Sequence, residues 1–588
     1  MSFQALNIAA TSLRAQQKAI DVVSHNIANV NTPGYSKQSV NIVTATSERI
    51  GNLDFGRGIN LNDIQRVVDP MISTAQRENA SQFDFWTAIT SVLTTIESAF
   101  GSLDNTGLAA SVDEYFLAWQ QLSNNPQDIA QKNNVLNKSE ALTTQLNNMY
   151  AQLRNGQESM DTDIDQQIAG ANLKIDEISA LSKQIKLHEA SNNGINGTAN
   201  DLRDQRDEAI RQLASIIPVQ LVETRDGSIL IQTKGGDMLS HDGIARHLAR
   251  SASVGASGYK GVVTAGTNNP ISGLDSGGTL GGLLTLRDSH FQNYINTLDS
   301  FAANLAYSTN QIHTNAGGGT RTSIVQSEQG SLFPAVALND PTQGIPFASK
   351  VQAGSFSIHV YDATGAPLTI PAVPPALPTP ASDFPITLLA GATMNDVATA
   401  INTSGAGITA TIDAAGRLNL DAGTNTLAFS NDTSNFLAAY EINAFFHGAT
   451  SGNMVVSASI KNNASSINTG TIAPVTSTVF SGDNSSAILV MNLQNQAISV
   501  DGSTSASLHN RIAGLSSQYG LDVGIANQQT SYREAEANSL VQQREAVSGV
   551  NVDEELISMM KFQRAYEASA KVISTSNLMM DTLMGMLR

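Results

Sequence analysis

The sequence contains no cysteine and is poor in tryptophan and in charged residues. Its 588 residues include no cysteine, two tryptophans and 14% charged side chains. The absence of cysteine excludes disulfide bonds, thiolate nucleophiles and cysteine-bound metal ions. No stretch approaches the roughly 18 consecutive apolar residues that a membrane-spanning helix requires. The sequence therefore predicts a protein that is not inserted in a membrane.

The first residues lack the features of a cleaved secretory signal peptide. The start MSFQALNIAATSLRAQQK has neither a basic region followed by an apolar run nor a small-residue cleavage site. Composition alone therefore predicts a cytoplasmic protein.

Basic residues are scarce relative to acidic ones. The chain has 33 Lys and Arg against 51 Asp and Glu, which gives a formal net charge of −18. Nucleic acids and anionic membranes are bound largely through Lys and Arg, so this balance disfavours both as partners. The length also exceeds the roughly 250–300 residues at which a single core stops growing, so we expect several domains.

Catalytic and metal-binding motifs are incomplete in this chain. His188 and Glu189 begin an HExxH zinc motif, but Asn192 occupies the position of the second histidine. The remaining histidines are scattered, and no nucleophile has a base at a recognisable spacing. We therefore predict no enzymatic activity, no metal site and no cofactor.

A charged segment within residues 200–211 alternates in sign. Its acidic residues are Asp201, Asp204, Asp207 and Glu208, and they are interleaved with Arg203, Arg206 and Arg211. Opposite charges three or four positions apart on a helix pair with each other. We therefore interpret this segment as a solvated helix face rather than an acid–base or metal cluster.

The C-terminal forty residues carry an apolar repeat of seven. The repeat consists of Val552, Met559, Tyr566, Ile573, Met580 and Leu587. Such spacing is typical of the narrow contact stripe of a coiled helix, which needs a partner helix. Asn551 precedes the repeat and is suited to cap the start of the helix.

The N-terminal helix has the same repeat. Leu6, Leu13, Ile20 and Ile27 recur every seventh residue. We call these four residues and the six C-terminal ones the predicted seam, and we expect them to pair the two ends of the chain and to support assembly. An alternative is that each end is the amphipathic edge of an ordinary helical bundle.

A turn motif follows the first repeat. Its residues are Asn29, Asn31, Thr32, Pro33, Gly34 and Tyr35. Pro33 and Gly34 suit the two middle positions of a type II turn, and the residue before a proline is disfavoured in a helix. The first helix is therefore expected to end near Asn31.

The stretch SHNIANVNTPGYS at 24–36 resembles the signature of the flagellar rod, hook and hook-associated axial proteins. The tail DEELISMMKFQRAYEASAKVISTSNLMMDTL resembles their paired C-terminal helix. Within this family, the segments SGVNVDEEL at 548–556, NDLRDQRDEAI at 200–210, GGTLGGLLTLRD at 277–288 and INAFFHG at 442–448 are most similar to the hook-associated members.

We predict a multidomain α+β fold in which the N- and C-terminal helices pair as a coiled-coil-like stalk. The expected parts are a terminal helical domain with a linker at 1–62 and 545–588, a mainly α-helical middle domain with a β-hairpin element at 63–335 and 449–544, and a β-rich inserted outer domain at 336–448. In the insertion, Phe356, Ile358 and Val360 alternate with polar residues, which predicts a strand and a hairpin through Asp362 to Gly365.

The family resemblance implies a structural role in the bacterial flagellum. It implies polymerisation at the junction of hook and filament, in a ring or helical assembly whose inner tube is formed by the terminal domain. The implied partners are further copies, the hook protein, the next junction protein and an export chaperone on the C-terminal helix. Secretion by the flagellar type III apparatus would then replace the cytoplasmic location. Two alternatives remain, namely another axial protein of hook or distal rod type, and a free-standing coiled-coil adhesin or binding module.

Overall fold

The structure is a computed structural model that describes residues 2–50, 53–100, 107–190, 199–223, 228–368, 383–474 and 476–586. It combines helices and sheets, in agreement with the predicted α+β class. No helix in these ranges is both long enough and apolar enough to span a membrane.

Long helices dominate both ends and the first half of the chain, and shorter ones occur between them. The α-helices of the described residues are α1 Ser2–Ala28, α2 Pro70–Phe100, α3 Leu108–Asn124, α4 Ile129–Ala190, α5 Asn200–Ile216, α6 Gly278–Thr285, α7 Phe291–His313, α8 Met394–Thr403, α9 Phe436–Ala439, α10 Ala458–Asn462, α11 Ser485–Asn492, α12 Leu508–Ser548 and α13 Val552–Met586. A π-helical turn, Leu286–His290, joins α6 to α7.

The strands are short and form several small antiparallel sheets. They are β1 Gln38–Thr44, β2 Glu48–Ile50, β3 Leu53–Phe55, β4 Ile59–Arg66, β5 Val219–Glu223, β6 Ile229–Thr233, β7 Met238–His241, β8 Ile244–Ala245, β9 Leu248–Val254, β10 Lys260–Thr264, β11 Ala316–Gly317, β12 Ile324–Gln326, β13 Gly354–Tyr361, β14 Asp383–Leu388, β15 Thr409–Ile412, β16 Leu418–Asp421, β17 Thr426–Ser430, β18 Phe446–His447, β19 Val455–Val456 and β20 Gly470–Thr471.

The chain forms two compact units, each built from separate segments. Unit 1 comprises Met1–Leu93, Glu158–Ser289 and Val523–Arg588, and unit 2 comprises Thr94–Gln157 and His290–Asp522. The three-part division expected from the sequence is not tested by this split and stays a prediction.

Unit 1 contains α1, α13 and the hairpin of β1 and β4. The two strands pair antiparallel, with a register shift between Asn41 and Ile42. Helix α2 begins after Asp69, whose carboxylate accepts the backbone N–H of Met71 at 2.7 Å, so its first turn is capped. A four-stranded sheet in the order β5-β6-β7-β8 also lies in this unit.

Unit 2 contains the β-rich part of the chain. Strand β13 is central in a three-stranded sheet and pairs with β14 and β17. The predicted hairpin from β13 is formed as far as Leu368, whose backbone N–H donates to the carbonyl of Val360 at 2.8 Å, and Tyr361 forms an isolated bridge with Pro367. Ile370, at the end of the predicted second strand, lies outside the described residues. One core includes Phe356 and Phe436 and extends to Tyr307 of α7, whose ring lies 4.9 Å from that of Phe347.

Candidate assembly site

The two terminal helices, α1 and α13, lie against each other in unit 1 and run antiparallel. Ser12 Oγ lies 3.0 Å from Ser569 Oγ. Near the other end, Asn26 Nδ2 donates to Glu555 Oε2 at 3.0 Å. Because the later residue of α1 meets the earlier residue of α13, the helix directions are opposed.

Small side chains line the buried face of α1. Ala9, Ala15, Ala19 and Val22 are all buried there. Short side chains let two helix backbones approach closely, but each contributes little apolar area. The fully buried residues of α1 therefore contribute limited apolar area.

Helix α13 partly buries Met559, Phe562, Tyr566, Ile573 and Met580 and leaves many other apolar side chains exposed. Among the described side chains of α13, those of Glu555 and Ser576 are fully buried, at 2% and 1% exposure. Its exposed large apolar side chains are Val552, Leu556, Ile557, Met560, Val572, Leu578, Met579, Leu583, Met584 and Met586. These side chains do not form a single stripe but are distributed around the helix, and Leu583 lies seven residues after Ser576, on the same side. Exposed apolar surface of this extent marks α13 as an interaction surface.

The predicted seam lies beside the centre of this contact. Eight of its residues are partly buried, namely Leu6, Leu13, Ile20, Ile27, Met559, Tyr566, Ile573 and Met580. Val552 is exposed at the start of α13, and Leu587 lies outside the described residues. The most buried positions of α1 are instead Ala15, Ala19 and Asn26, at 3%, 0% and 1% exposure. The role of the seam in assembly stays a prediction.

The turn motif has the predicted conformation. Tyr35 N–H donates to the carbonyl of Thr32 at 3.2 Å, and Gly34 has a φ of +82°. A proline followed by a residue with positive φ is the signature of a type II turn, and glycine adopts that φ without steric cost. Helix α1 ends at Ala28, and Thr32 Oγ1 donates to Asn29 Oδ1 at 3.1 Å within the turn. Asn31 is exposed.

The chain after the turn folds back onto Asn26, which is 1% exposed. Asn26 Oδ1 accepts Tyr35 Oη at 2.7 Å and Gln38 N–H at 3.0 Å. Its Nδ2 donates to the carbonyl of Gln38 at 2.9 Å and to Glu555. Both polar atoms of the Asn26 amide are therefore hydrogen-bonded, and Asn26 connects α1, β1 and α13.

Three further bonds tie the motif to the C-terminal segment. Lys37 Nζ lies 2.9 Å from Glu555 Oε1, which pairs the buried carboxylate with a cation. The backbone N–H of Lys37 donates to the carbonyl of Ser548 at 2.9 Å. Arg544 Nη2 donates to the carbonyl of Tyr35, also at 2.9 Å. The end of α12 and the start of α13 are thus both fixed on the motif.

The motif is also bonded to α5, within the charged segment. Asp204 Oδ2 accepts the backbone N–H of Ser36 at 3.0 Å, and its Oδ1 lies 2.7 Å from Arg66 Nη1. Burial raises the pKa of Asp204, against the lowering effect of Arg66. The interpretation of this segment as a solvated face is wrong for Asp204 and Arg206, which are both buried. Periodicity could not reveal the burial of Asp204, because its partners Ser36 and Arg66 come from distant parts of the sequence.

Three carboxylates lie near the Tyr35 hydroxyl. Burial, followed by the nearby carboxylates of Asp201, Asp204 and Glu555, raises the pKa of Tyr35 well above its usual range. The phenol therefore stays protonated and can donate to Asn26. The cluster contains no nucleophile and base pair, and no group of acidic or histidine side chains suited to a metal ion was found in the described ranges.

Family models match several parts of the chain. Residues 93–320 match the helical domain of flagellar hook-associated protein FlgK. Residues 6–35 match the flagella basal body rod protein model, and residues 541–586 match the C-terminal model of the flagellar basal body rod FlgEFG proteins. Residues 379–424 match the flagellin hook IN motif.

Curated relatives match at nearly full length. Flagellar hook-associated protein 1 of Salmonella typhimurium is 27% identical over 98% of this chain and 99% of the relative. The protein of the same name from Escherichia coli is 26% identical over 98% of both chains. The chain belongs to the flagellar hook-associated protein family. Its role is accordingly structural.

The family matches coincide with the site described above. The rod protein match contains most of α1 and the turn motif, and the FlgEFG match contains the end of α12 and all of α13. A solved hook junction protein, FlgK from Burkholderia pseudomallei, is 16% identical with a TM-score of 0.46, covering 82% of this chain and 100% of that chain. The two terminal matches contain Asn26 and Glu555, respectively, and these two side chains are hydrogen-bonded to each other.

Proposed function

We propose that this hook-associated chain polymerises at the junction of the flagellar hook and filament and connects the two. The observation that carries the proposal is the exposed apolar surface of α13, on which ten large apolar side chains are exposed. Burying apolar surface stabilises association by about 25 cal/mol per Å². Neighbouring copies that cover these side chains supply the burial that α1 does not.

In this proposal, the terminal segments 1–62 and 545–588 form an inner tube around the axis. The helix pair is its coiled-coil-like stalk, segments 63–335 and 449–544 form the middle domain, and the inserted segment 336–448 lies outermost. The antiparallel contact of α1 with α13 and the long helices of the first half support this arrangement. Assembly in a ring or a helical array would bring one copy of α13 against the terminal helices of the next.

The proposed partners are further copies of the chain, the hook protein on one side and the next junction protein on the other. An export chaperone would bind α13, since exposed Leu578, Met579 and Met586 would otherwise promote aggregation before assembly. We further propose that the chain is secreted by the flagellar type III apparatus. The near-full-length similarity to hook-associated protein 1 supports these assignments.

A strain that lacks this chain tests the junction role. We expect hooks without filaments and filament protein in the medium, with both defects corrected by the parent chain. Leu578→Asp combined with Leu583→Asp should fail to correct the two defects, because charge at these exposed apolar positions of α13 blocks their burial against a neighbouring copy. Gln563→Asp, at an exposed polar position of α13, is the matched control and should restore filaments. Normal filaments in the deletion strain would refute the proposal.

Limited proteolysis of the free chain provides a second test. Ordering a backbone costs about 1–2 kcal/mol per residue, and the small-residue contact of α1 with α13 offsets this only in part. We therefore expect residues 1–50 and 545–588 to be cleaved first in the free chain and to be protected after assembly. Equal protection of the ends in both states would show that they belong to a stable monomer core.

A further inference from the structure

Among the described residues, strand β15 forms one edge of the three-stranded sheet β12-β16-β15 in unit 2. An edge strand presents backbone N–H and C=O groups that can pair with a strand of another molecule. The side chains of Thr409 and Thr411 are exposed, so this edge lies at the surface. Threonine also favours strands. The edge of β15 therefore has the features of a surface at which a second copy of the chain adds a strand.

The side chain of Asn402, on α8, occupies this edge. The backbone N–H of Ala410 donates to Asn402 Oδ1 at 2.8 Å, and Asn402 Nδ2 donates to the carbonyl of Ala410 at 2.9 Å. A side-chain amide carries the same kinds of donor and acceptor as a peptide group. Asn402 thus forms the pair of bonds that a residue of an added strand would form. We propose that Asn402 is an edge cap that keeps β15 from pairing with a second copy of this chain.

The register of the sheet explains why the backbone of Ala410 needs a cap. Ala410 lies opposite Leu420 of β16, and Leu420 lies opposite Val325 of β12. In an antiparallel ladder, alternate residues direct their N–H and C=O groups away from the neighbouring strand. Because both groups of Ala410 bond to Asn402, they point away from β16. Without the cap, these groups would be open to another strand.

The segment between α8 and β15 positions the cap. Gly405 and Gly407 have φ values of +78° and +68°. Glycine adopts such values without steric cost, so the chain can reverse within a few residues. The reversal brings Ala410 beside Asn402, which lies eight positions earlier in the sequence. The cap is therefore built from one short stretch of chain.

The other large sheet of the β-rich part has a guard of a different kind. Among the described residues, β14 is an edge strand of the sheet β14-β13-β17, and it contains Pro385 opposite Ser357. Proline has no N–H, and within sheets it is found on edge strands where the missing donor would face away from the neighbouring strand. Two sheets in unit 2 thus each carry a feature that opposes strand addition at one edge.

Closed edges matter most where copies lie side by side, as in the proposed assembly. An open β15 would link the β-rich parts of neighbouring copies and compete with the contacts of their terminal helices. This consequence rests on the proposed function. The closure of the edge does not, and it can be tested on the free chain.

Asn402→Ala removes the cap and keeps a good helix former in α8. We expect the molar mass of this variant, measured by size-exclusion chromatography with light scattering, to rise with concentration to at least twice that of the parent at the same concentration. Asn395→Ala is the matched control, because it removes an exposed asparagine side chain from the same helix, and it should match the parent.

Thr411→Lys combined with Asn402→Ala distinguishes strand pairing from misfolding. A lysine on an edge strand opposes pairing with another strand. The combined variant should therefore return to the molar mass of the parent, although the cap is still absent. Hydrogen exchange of the free parent, resolved to single residues, provides a measurement that needs no variant. The cap predicts that the backbone N–H of Ala410 is protected from exchange.

Three results would overturn the proposal. The first is a folded Asn402→Ala chain that keeps the molar mass of the parent at every concentration. The second is association that persists after Thr411→Lys is added. The third is rapid exchange of the Ala410 N–H in the free parent, which decides the question even where Asn402→Ala does not fold. Failure of the proposed function has a different signature, because a strain lacking the chain would then form normal filaments.

Discussion

Replacing His313 should remove a large part of the acid sensitivity of unit 2. His313 lies at the end of α7 and is 2% exposed. The backbone N–H of Asn468 donates to Nε2 at 3.1 Å, so Nδ1 carries the proton and donates to the carbonyl of Asn443, also at 3.1 Å. Protonation would place a second N–H against the donor of Asn468. The folded state therefore requires the neutral ring.

The expected magnitude follows from the pKa. Burial lowers the pKa of His313 from 6.5 to about 4, with a further lowering contribution from Lys132. On acidification, the unfolded chain binds a proton below pH 6.5 while the folded chain resists it. Stability from the neutral ring is thus complete above pH 6.5 and is lost as the pH falls toward 4. At about 1.4 kcal/mol per pH unit, the loss in unfolding free energy approaches roughly 3 kcal/mol.

Trp119 provides a local probe for this measurement. Its buried ring lies 5.3 Å from that of Phe445, which in turn lies 5.5 Å from the His313 ring. Trp86→Phe leaves Trp119 as the single tryptophan, and urea unfolding can then be followed by fluorescence between pH 7.5 and 4.5. His313→Gln keeps neutral hydrogen-bonding groups and should flatten the slope, so its stability deficit relative to the parent shrinks on acidification.

The control replaces an imidazole that is largely exposed. His509→Gln removes a side chain that is 49% exposed and should retain the slope of the parent. If His313→Gln retains that slope as well, the acid sensitivity arises elsewhere and the reasoning about the buried ring is wrong.

Two further substitutions test other parts of the chain. Burial raises the pKa of Asp84 to about 6, so its ionisation destabilises unit 1 as the pH rises from 3.8 through 6. Asp84→Asn should therefore raise the melting temperature at pH 7 and lose this advantage near pH 4, as measured by circular dichroism; an equal gain at both pH values would contradict the assignment. Gly34→Ala places a Cβ at a φ of +82° and should cost about 1–2 kcal/mol, measured by urea unfolding, whereas Gly56→Ala in the same unit is a control without positive φ.

Local chemistry was predicted well from the sequence. Asn551 caps α13 through a bond from the Asp553 backbone N–H at 3.0 Å, and Pro33 and Gly34 occupy the middle of the expected turn. Both features depend on residues within a few positions of each other. Backbone conformation at such places is decided before any tertiary contact is made.

The contact face of the terminal helices was less predictable. Apolar periodicity selected Leu13 and Ile20, which are partly buried, whereas the fully buried positions of α1 include Ala19 and Asn26. Small and polar residues give no hydrophobic signal, although they permit the closest approach of two helices. Glu555 could not be identified as buried, because its partners Asn26 and Lys37 are more than 500 positions away in the sequence.

The main strand partners of β13 were not predicted, for a related reason. The alternation at Phe356 and Ile358 correctly predicted the strand, and the chain after Gly365 returns to it, with Leu368 N–H donating to the carbonyl of Val360 at 2.8 Å. Its longer pairings are with β14 and β17. A period of two residues shows that a strand forms and which side is apolar. It carries no information on which other strand lies beside it.

The pairing of the first helix with the last has a consequence for the time order of folding. Ser12 and Ser569 are separated by 557 positions, so the contact of α1 with α13 requires almost the entire chain, unlike its bonds to Tyr35 and Gln38. Contacts of such long range close the largest loop and form late. A chain truncated before residue 552 would leave Asn26 and the turn motif without the helix they are arranged to receive.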